Sequence, residues 1–190
     1  ALDPAKADWW QPIDGGWHQP RAGWLKPGQL VRHLLDHPAI ETAWGWSIQQ
    51  LQSKPQGWEM IDGQGRRITG ARTVIVAMGP ASTPLLGSCG VNLHLQPVRG
   101  QVSFGSVPEP RPDNWPLRPR NGDGSLLPSV PFQGQDQWLV GSSFDRSTDR
   151  AQITPEDQTL NAQRWQRLSP DTAHLLPQSS DWQAWAGVRA

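Results

Sequence analysis

The run Arg72-Thr73-Val74-Ile75-Val76-Ala77-Met78-Gly79-Pro80 constrains this 190-residue chain more than any other segment. It is an unbroken apolar, largely β-branched stretch that stops on a glycine and a proline. A run of this kind, with no polar alternation, reads as a strand buried on both faces, and such strands belong to sheets covered by helices or other layers. The pattern therefore predicts a strand from Thr73 that ends at Gly79. In open α/β sheets, ligands gather at the carboxyl ends of strands, where a glycine lets a group lie against the main chain. The plain alternative is that Gly79-Pro80 only terminates a core strand.

The rest of the chain divides around residue 92. Residues 1–22 read as loop, with prolines at 4, 12 and 20 and the pair Gly15-Gly16. Pro27 suits the first turn of a helix whose apolar stripe is Leu30, Val31, Leu34 and Leu35, and His37-Pro38 ends it. A strand over residues 44–51 is followed by a hairpin, Gly57 to Ile61, that turns through Asp62-Gly63-Gln64-Gly65 into Arg66-Arg67-Ile68. After residue 92, strand candidates at 96–104, 124–130 and 137–144 are separated by turn formers, which predicts an antiparallel sheet. Thr154 as N-cap, Pro155 at the first position and acids in the first turn open a helix that runs to about Leu168, where Ser169-Pro170 stops it. Residues 181–190 read as a further strand. The expected class is α/β (α+β), with residues 1–92 forming the edge of an α/β domain and residues 93–190 a mainly antiparallel sheet with one helix.

Seventeen basic and seventeen acidic residues cancel, so the chain lacks the basic footprint of a protein that grips nucleic acid through phosphates. The single Cys89 excludes an internal disulfide framework and a cysteine-rich metal site, in keeping with a reducing cytoplasm. No run of 18 apolar residues is present, so no membrane helix is expected. Of five histidines only His33 and His37 share a helical spacing, and no glutamate stands between them as in a metalloprotease; a solvated face or a helix-end dipole partner is the expected role. Ser142-Ser143 lacks the Gly-x-Ser-x-Gly surround of a nucleophile elbow. Twelve tryptophans without a tyrosine point to indoles filling a core, with a ligand floor as the second role open to them. The chain opens on alanine and halts at Gly187-Val188-Arg189-Ala190 without a stop signal, which reads as a piece cut from a longer protein.

Four segments in order carry a likeness: Gly23-Trp24-Leu25-x-Pro27, Val74-Ile75-Val76-Ala77-x-Gly79, Pro97-Val98-Arg99-Gly100-Gln101 and Trp185-Ala186-Gly187-Val188-Arg189. Together they resemble the D-amino-acid-oxidase-like, FAD-dependent oxidoreductase superfamily, which includes glycine and sarcosine oxidases. Within it, His18-x-Pro20-x-x-Gly23, Arg99-Gly100-Gln101-Val102-Ser103, Gly141-Ser142-Ser143-Phe144-Asp145-Arg146, Pro155-Glu156-Asp157 and Asn161 are similar to the oxidase domain of the bifunctional enzymes of tRNA 5-methylaminomethyl-2-thiouridine biosynthesis. The resemblance implies FAD as cofactor and oxidation of a secondary amine carbon–nitrogen bond. For that subfamily it implies removal of the carboxymethyl group from a carboxymethylaminomethyl uridine at the tRNA wobble position, with release of glyoxylate. Modified tRNA as partner, a fused or partner methyltransferase domain and a cytoplasmic location follow from the same likeness. One departure bears on this: the Gly-x-Gly-x-x-Gly turn that receives the FAD pyrophosphate is missing from the sequence, so this piece alone is expected to hold FAD weakly or not at all, and to be inactive.

The resemblance assigns substrate binding to Arg189, whose two-pronged guanidinium suits a carboxylate, with Gly187 keeping the backbone slim beside it. The other reading of Arg189 is a solvated side chain near a chain end. Arg99 and Gln101 share a strand face and either meet flavin or substrate or form an exposed pair. On the cofactor side, the main chain of Ile48 occupies the place where relatives bind adenine, and Ala77, Met78 and Gly79 pass beside FAD. No catalytic acid or base and no metal ligand is expected. Two other readings stay open: a free amino-acid oxidase of the glycine/sarcosine type, and a non-enzymatic Trp-rich β-sheet binding module.

Overall fold

The computed structural model describes residues 11–13 and 16–190; of the loop predicted over 1–22, residues 1–10, 14 and 15 lie outside the described residues, and residues 11–13 and 16–18 form paired strands instead of loop. The chain forms two compact units, Ala1–Thr42 and Ala43–Ala190. In the first, β1 (Gln11–Ile13) and β2 (Gly16–His18) pair antiparallel, and α1 (Pro27–Leu35) begins on Pro27 as its pattern predicts. His37 follows the helix end, its Nδ1 accepting the Ala39 N–H at 3.1 Å. The apolar stripe of α1 stays open, with Leu30, Val31 and Leu34 exposed.

The second unit begins with an antiparallel meander of β3 (Ile48–Lys54), β4 (Gly57–Asp62) and β5 (Arg67–Ala71). Its second turn is built by Asp62, whose Oδ1 accepts the amides of Gln64 and Arg66 at 2.9 and 2.8 Å while Gly65 takes φ +79°. Burial pushes the Asp62 carboxyl up, but the Arg66 guanidinium and these amides outweigh it and hold the group below its ordinary value.

The apolar run after β5 is not a strand. Residues 73–78 pair with no strand among the described residues, and Ile75 is 88% exposed. A doubly buried strand needs hydrogen-bonding neighbours at its edges and layers above and below, and no described segment supplies them. The run instead leads into a 3-10 turn, Gly79–Ala81, and the short α2 (Ser82–Gly87), which packs on β3.

Residues 98–189 build the main sheet from β6 (Val98–Ser106), β7 (Arg120–Gly122), β8 (Gly124–Phe132), β9 (Gln135–Gly141) and β10 (Gln183–Arg189). Their order is β10-β6-β9-β8-β7 and every pairing is antiparallel, as the turn-punctuated sequence predicts. β9 stops at Gly141 rather than at Phe144, because the chain there leaves the β8 side while still bonding to β6: Ser143 N–H donates to the Gln101 carbonyl, and Arg99 and Asp145 exchange bonds of 2.7 and 2.9 Å. One face of the sheet is covered by α3 (Pro155–Leu168), opened by Thr154 Oγ1 accepting the Asp157 N–H at 3.3 Å. Between them Leu126 and Val140 pack with four indoles, Trp115, Trp138, Trp165 and Trp182. The ring pairs Trp115–Trp165, Trp138–Trp165 and Trp138–Trp182 lie 5.4, 5.1 and 4.8 Å apart in tilted or edge-on geometry, which the ring quadrupoles favour. For these four tryptophans the core role holds.

Candidate functional site

Register decides which residues share a face. β10 and β6 align Trp185 with Val102, Gly187 with Gly100 and Arg189 with Val98. Side chains alternate along a strand, so Trp185, Gly187 and Arg189 lie with Val98, Gly100 and Val102 on one face, and Arg99, Gln101 and Ser103 lie on the other, under α3. Arg189 and Gly187 are thus brought together with Gly100; Arg99 and Gln101 are not.

Arg99 and Gln101 are 2% and 0% exposed, so they do not form the exposed pair that was one of their two readings. Arg99 donates through Nη1 to the Asp157 carboxylate, through Nε to the Gln152 carbonyl at 2.7 Å and through Nη2 to Gln101 Oε1 at 2.9 Å. Gln101 Oε1 also accepts the Thr154 N–H at 2.8 Å, and its Nε2 donates to the Thr154 carbonyl at 3.1 Å. Asn161 Nδ2 reaches the Gln101 carbonyl and Ser103 Oγ at 3.1 and 2.9 Å, and Gln158 accepts from Ser103 Oγ while donating to the Trp182 carbonyl. This buried network ties the first turns of α3 to β6. An open polar cleft of about 380 Å³ runs past Arg99, Asp145, Gln152 and Asp157, and Arg99 directs the hydrogen bonds just named into the protein.

The other face carries the exposed chemistry. The Arg189 guanidinium lies 5.2 Å from the centre of the Phe144 ring, and that of Arg146 lies 5.0 Å from the same ring. Room for Arg189 comes from Gly100, where a Cβ would stand 3.1 Å from Nη1. Directly across the ladder, the six-membered ring of Trp185 rests on Gly187, where a Cβ would fall 2.3 Å from it. Gly100 and Gly187 therefore form a side-chain-free floor occupied by a guanidinium and an indole. In the cleft beside Arg99, the Ser147 hydroxyl and amide hold the Asp145 carboxyl below its ordinary value against the opposing pull of desolvation, with a further contribution from the Arg99 charge. Sequence reasoning missed Phe144, Trp185 and Gly100 as parts of this surface; the signal available was their parity with Gly187 and Arg189, which becomes readable once the strand pairing is known.

On the expected cofactor side, Ile48 opens β3 half-buried and pairs with Asp62. Ala77, Met78 and Gly79 are exposed. Gly79 takes φ +58° and has open space where a Cβ would stand, so a flat group fits against its main chain. The Met78 N–H is already given to Ser82 Oγ at 3.1 Å. The turn that contains Gly79 packs beside β10, the strand that carries Arg189.

A family model described as FAD dependent oxidoreductase matches residues 1–190. A tRNA 5-methylaminomethyl-2-thiouridine biosynthesis bifunctional protein MnmC from Polaromonas sp. strain JS666 is 37% identical over 91% of this chain, which covers 29% of that protein. The protein of the same name from Polaromonas naphthalenivorans is 32% identical over 100% of the chain and 33% of its own length. The chain thus spans about a third of the length of these curated relatives. In fold it is similar to glycine oxidase from Geobacillus kaustophilus, with TM-score 0.55 at 20% identity over 75% of this chain and 35% of that one. Iminodiacetate oxidase from Chelativorans sp. BNC1 gives TM-score 0.52 at 20% identity over 74% of this chain and 36% of that one. A match along the whole sequence, with relatives above 30% identity over nearly all of it, shows that the chain belongs to the FAD-dependent oxidoreductase family.

Proposed function

We propose that this chain is the substrate-side part of an FAD-dependent amine oxidase that removes the carboxymethyl group from carboxymethylaminomethyl-(2-thio)uridine in tRNA. The observation that carries the reading is Arg189: an exposed guanidinium held against Phe144 beside Gly100, on the face of the sheet opposite α3 and on the strand beside the Gly79 turn. Such a fork of donors grips a carboxylate through two oxygens and fixes its direction. The names of the curated relatives supply the nucleic-acid substrate.

In this reading Arg189 anchors the carboxylate of the carboxymethyl group, and Gly100 and Gly187 keep clear the space that the Arg189 guanidinium and the Trp185 ring take up. Ile48, Ala77, Met78 and Gly79 hold one edge of the cofactor, through main chain and small bulk. FAD, if bound, would supply the two-electron oxidation of the bond between nitrogen and the carboxymethyl carbon. The carbon–nitrogen bond becomes an imine, and water then splits it to glyoxylate and the aminomethyl uridine. No protein acid or base of unusual strength is required, because fixing the carbon–hydrogen bond supplies the main effect. Arg99 and Gln101 are positioning residues: they brace β6 from behind against α3. A methyltransferase domain, fused or separate, belongs to the same proposal, as does a cytoplasmic site of action.

The test is mass spectrometry of nucleosides from tRNA incubated with the full-length protein. The expected result is conversion of carboxymethylaminomethyl uridine at a rate far above the oxidation of glycine or sarcosine. Robust glycine turnover with the modified uridine untouched would leave a small-molecule amine oxidase instead.

A further inference from the structure

We infer that Trp185 is the stacking surface for the pyrimidine ring of the substrate, and so the residue that separates a modified nucleoside from a free amino acid. The inference rests on the proposed tRNA reading and deepens it. Trp185 differs from the core indoles: it is 63% exposed, whereas Trp115, Trp138, Trp165 and Trp182 are 9% exposed or less. An indole set out in solvent gains little from burial, yet this one is held down at a position that only glycine permits, since a Cβ on Gly187 would fall 2.3 Å from its ring. One side of the ring is thereby seated on the sheet and the remainder stays free.

Its neighbour on that floor is the Arg189 guanidinium. Gly187 and Gly100 are direct partners in the ladder, and residues so paired in antiparallel sheets have Cα atoms about 4.5–5.5 Å apart. An aromatic surface and a two-pronged carboxylate anchor therefore sit side by side on one exposed face. The ligand that uses both has a planar ring joined to a carboxylate by a short link. A carboxymethylaminomethyl pyrimidine is such a molecule, with its methylene–amine–methylene chain between ring and carboxylate. Glycine and sarcosine have the carboxylate and no ring, and would leave the indole idle.

The experiment compares Trp185→Ala and Trp185→Phe in the full-length protein, reading kcat and KM on tRNA carrying the carboxymethylaminomethyl uridine and on sarcosine, with flavin content measured by absorbance. Removing one base–aromatic stack should lower kcat/KM on the tRNA roughly tenfold more than on sarcosine, mainly through KM. Trp185→Phe should recover most of that difference. Equal losses on both substrates would assign the indole a structural role and overturn the inference. Loss of flavin in Trp185→Ala would seat the indole against the cofactor and overturn it equally. Wild-type turnover of the tRNA with an unaffected alanine variant sinks this inference alone, whereas wild-type protein that leaves the modified uridine untouched sinks the tRNA reading and the inference with it.

Discussion

At Arg189 three local facts combine: an aromatic ring 5.2 Å away, a glycine in the place where a side chain would collide with Nη1, and a strand position that turns the guanidinium away from α3. Lysine in its place keeps the charge but has neither the planar fork nor the stacking surface. Arg189→Lys in the full-length protein is therefore expected to raise KM for the carboxylate substrate by about 1.5–3 kcal/mol, roughly ten- to hundredfold, with flavin content retained. Steady-state kinetics on the variant check this, and unchanged constants would place Arg189 outside the site. Strand parity also explains why Arg99 and Gln101 were hard to place from sequence. In Pro97-Val98-Arg99-Gly100-Gln101 both faces are buried, and the face under α3 carries the polar residues because α3 and the segment that leads into it, Gln152 to Thr154, supply their partners.

Elements whose signals are local were legible. Thr154-Pro155 caps and opens α3, Pro27 opens α1, and Asp62 with Gly65 builds the turn between β4 and β5, each through bonds made within a few residues. Elements defined by their neighbours were not. Residues 73–78 have the composition of a doubly buried strand, but a strand is a relation between segments, and no described segment completes it. The open stripe of α1 is a second case, with its apolar period intact and its cover missing among the described residues. The union of α3 with β6 was equally unreadable, since its Arg99–Asp157 pair joins positions 58 apart in sequence. That pair makes its own prediction. Arg99→Met strands the 7%-exposed Asp157 carboxylate without its main counter-charge, which should cost about 3–5 kcal/mol, read as a lower midpoint of urea unfolding. Adding Asp157→Leu should restore a large part of the loss; a single-variant loss below about 1 kcal/mol would show the pair to be solvated and weak.

For the whole molecule, the question is how much of a flavin site one third of a relative's length can carry. The residues proposed for one edge of the cofactor are the Gly79 turn with its open space, the exposed Ala77 and Met78 beside it, and the start of β3 at Ile48. The pyrophosphate is the most demanding part of FAD, because its charge has to be met by a row of backbone N–H groups at the start of a helix. The sequence contains no Gly-x-Gly-x-x-Gly turn to present them, and the one N–H at Met78 is already spent on Ser82. The 190-residue chain, purified and dialysed against FAD, is therefore expected to emerge nearly colourless, while the full-length protein carries flavin close to one per chain. Absorbance near the flavin bands, set against protein concentration, decides it. Stoichiometric yellow cofactor on the 190-residue chain would mean that the Gly79 turn and its neighbours form a complete site, and the division of the flavin site between this chain and the rest of the protein would have to be abandoned.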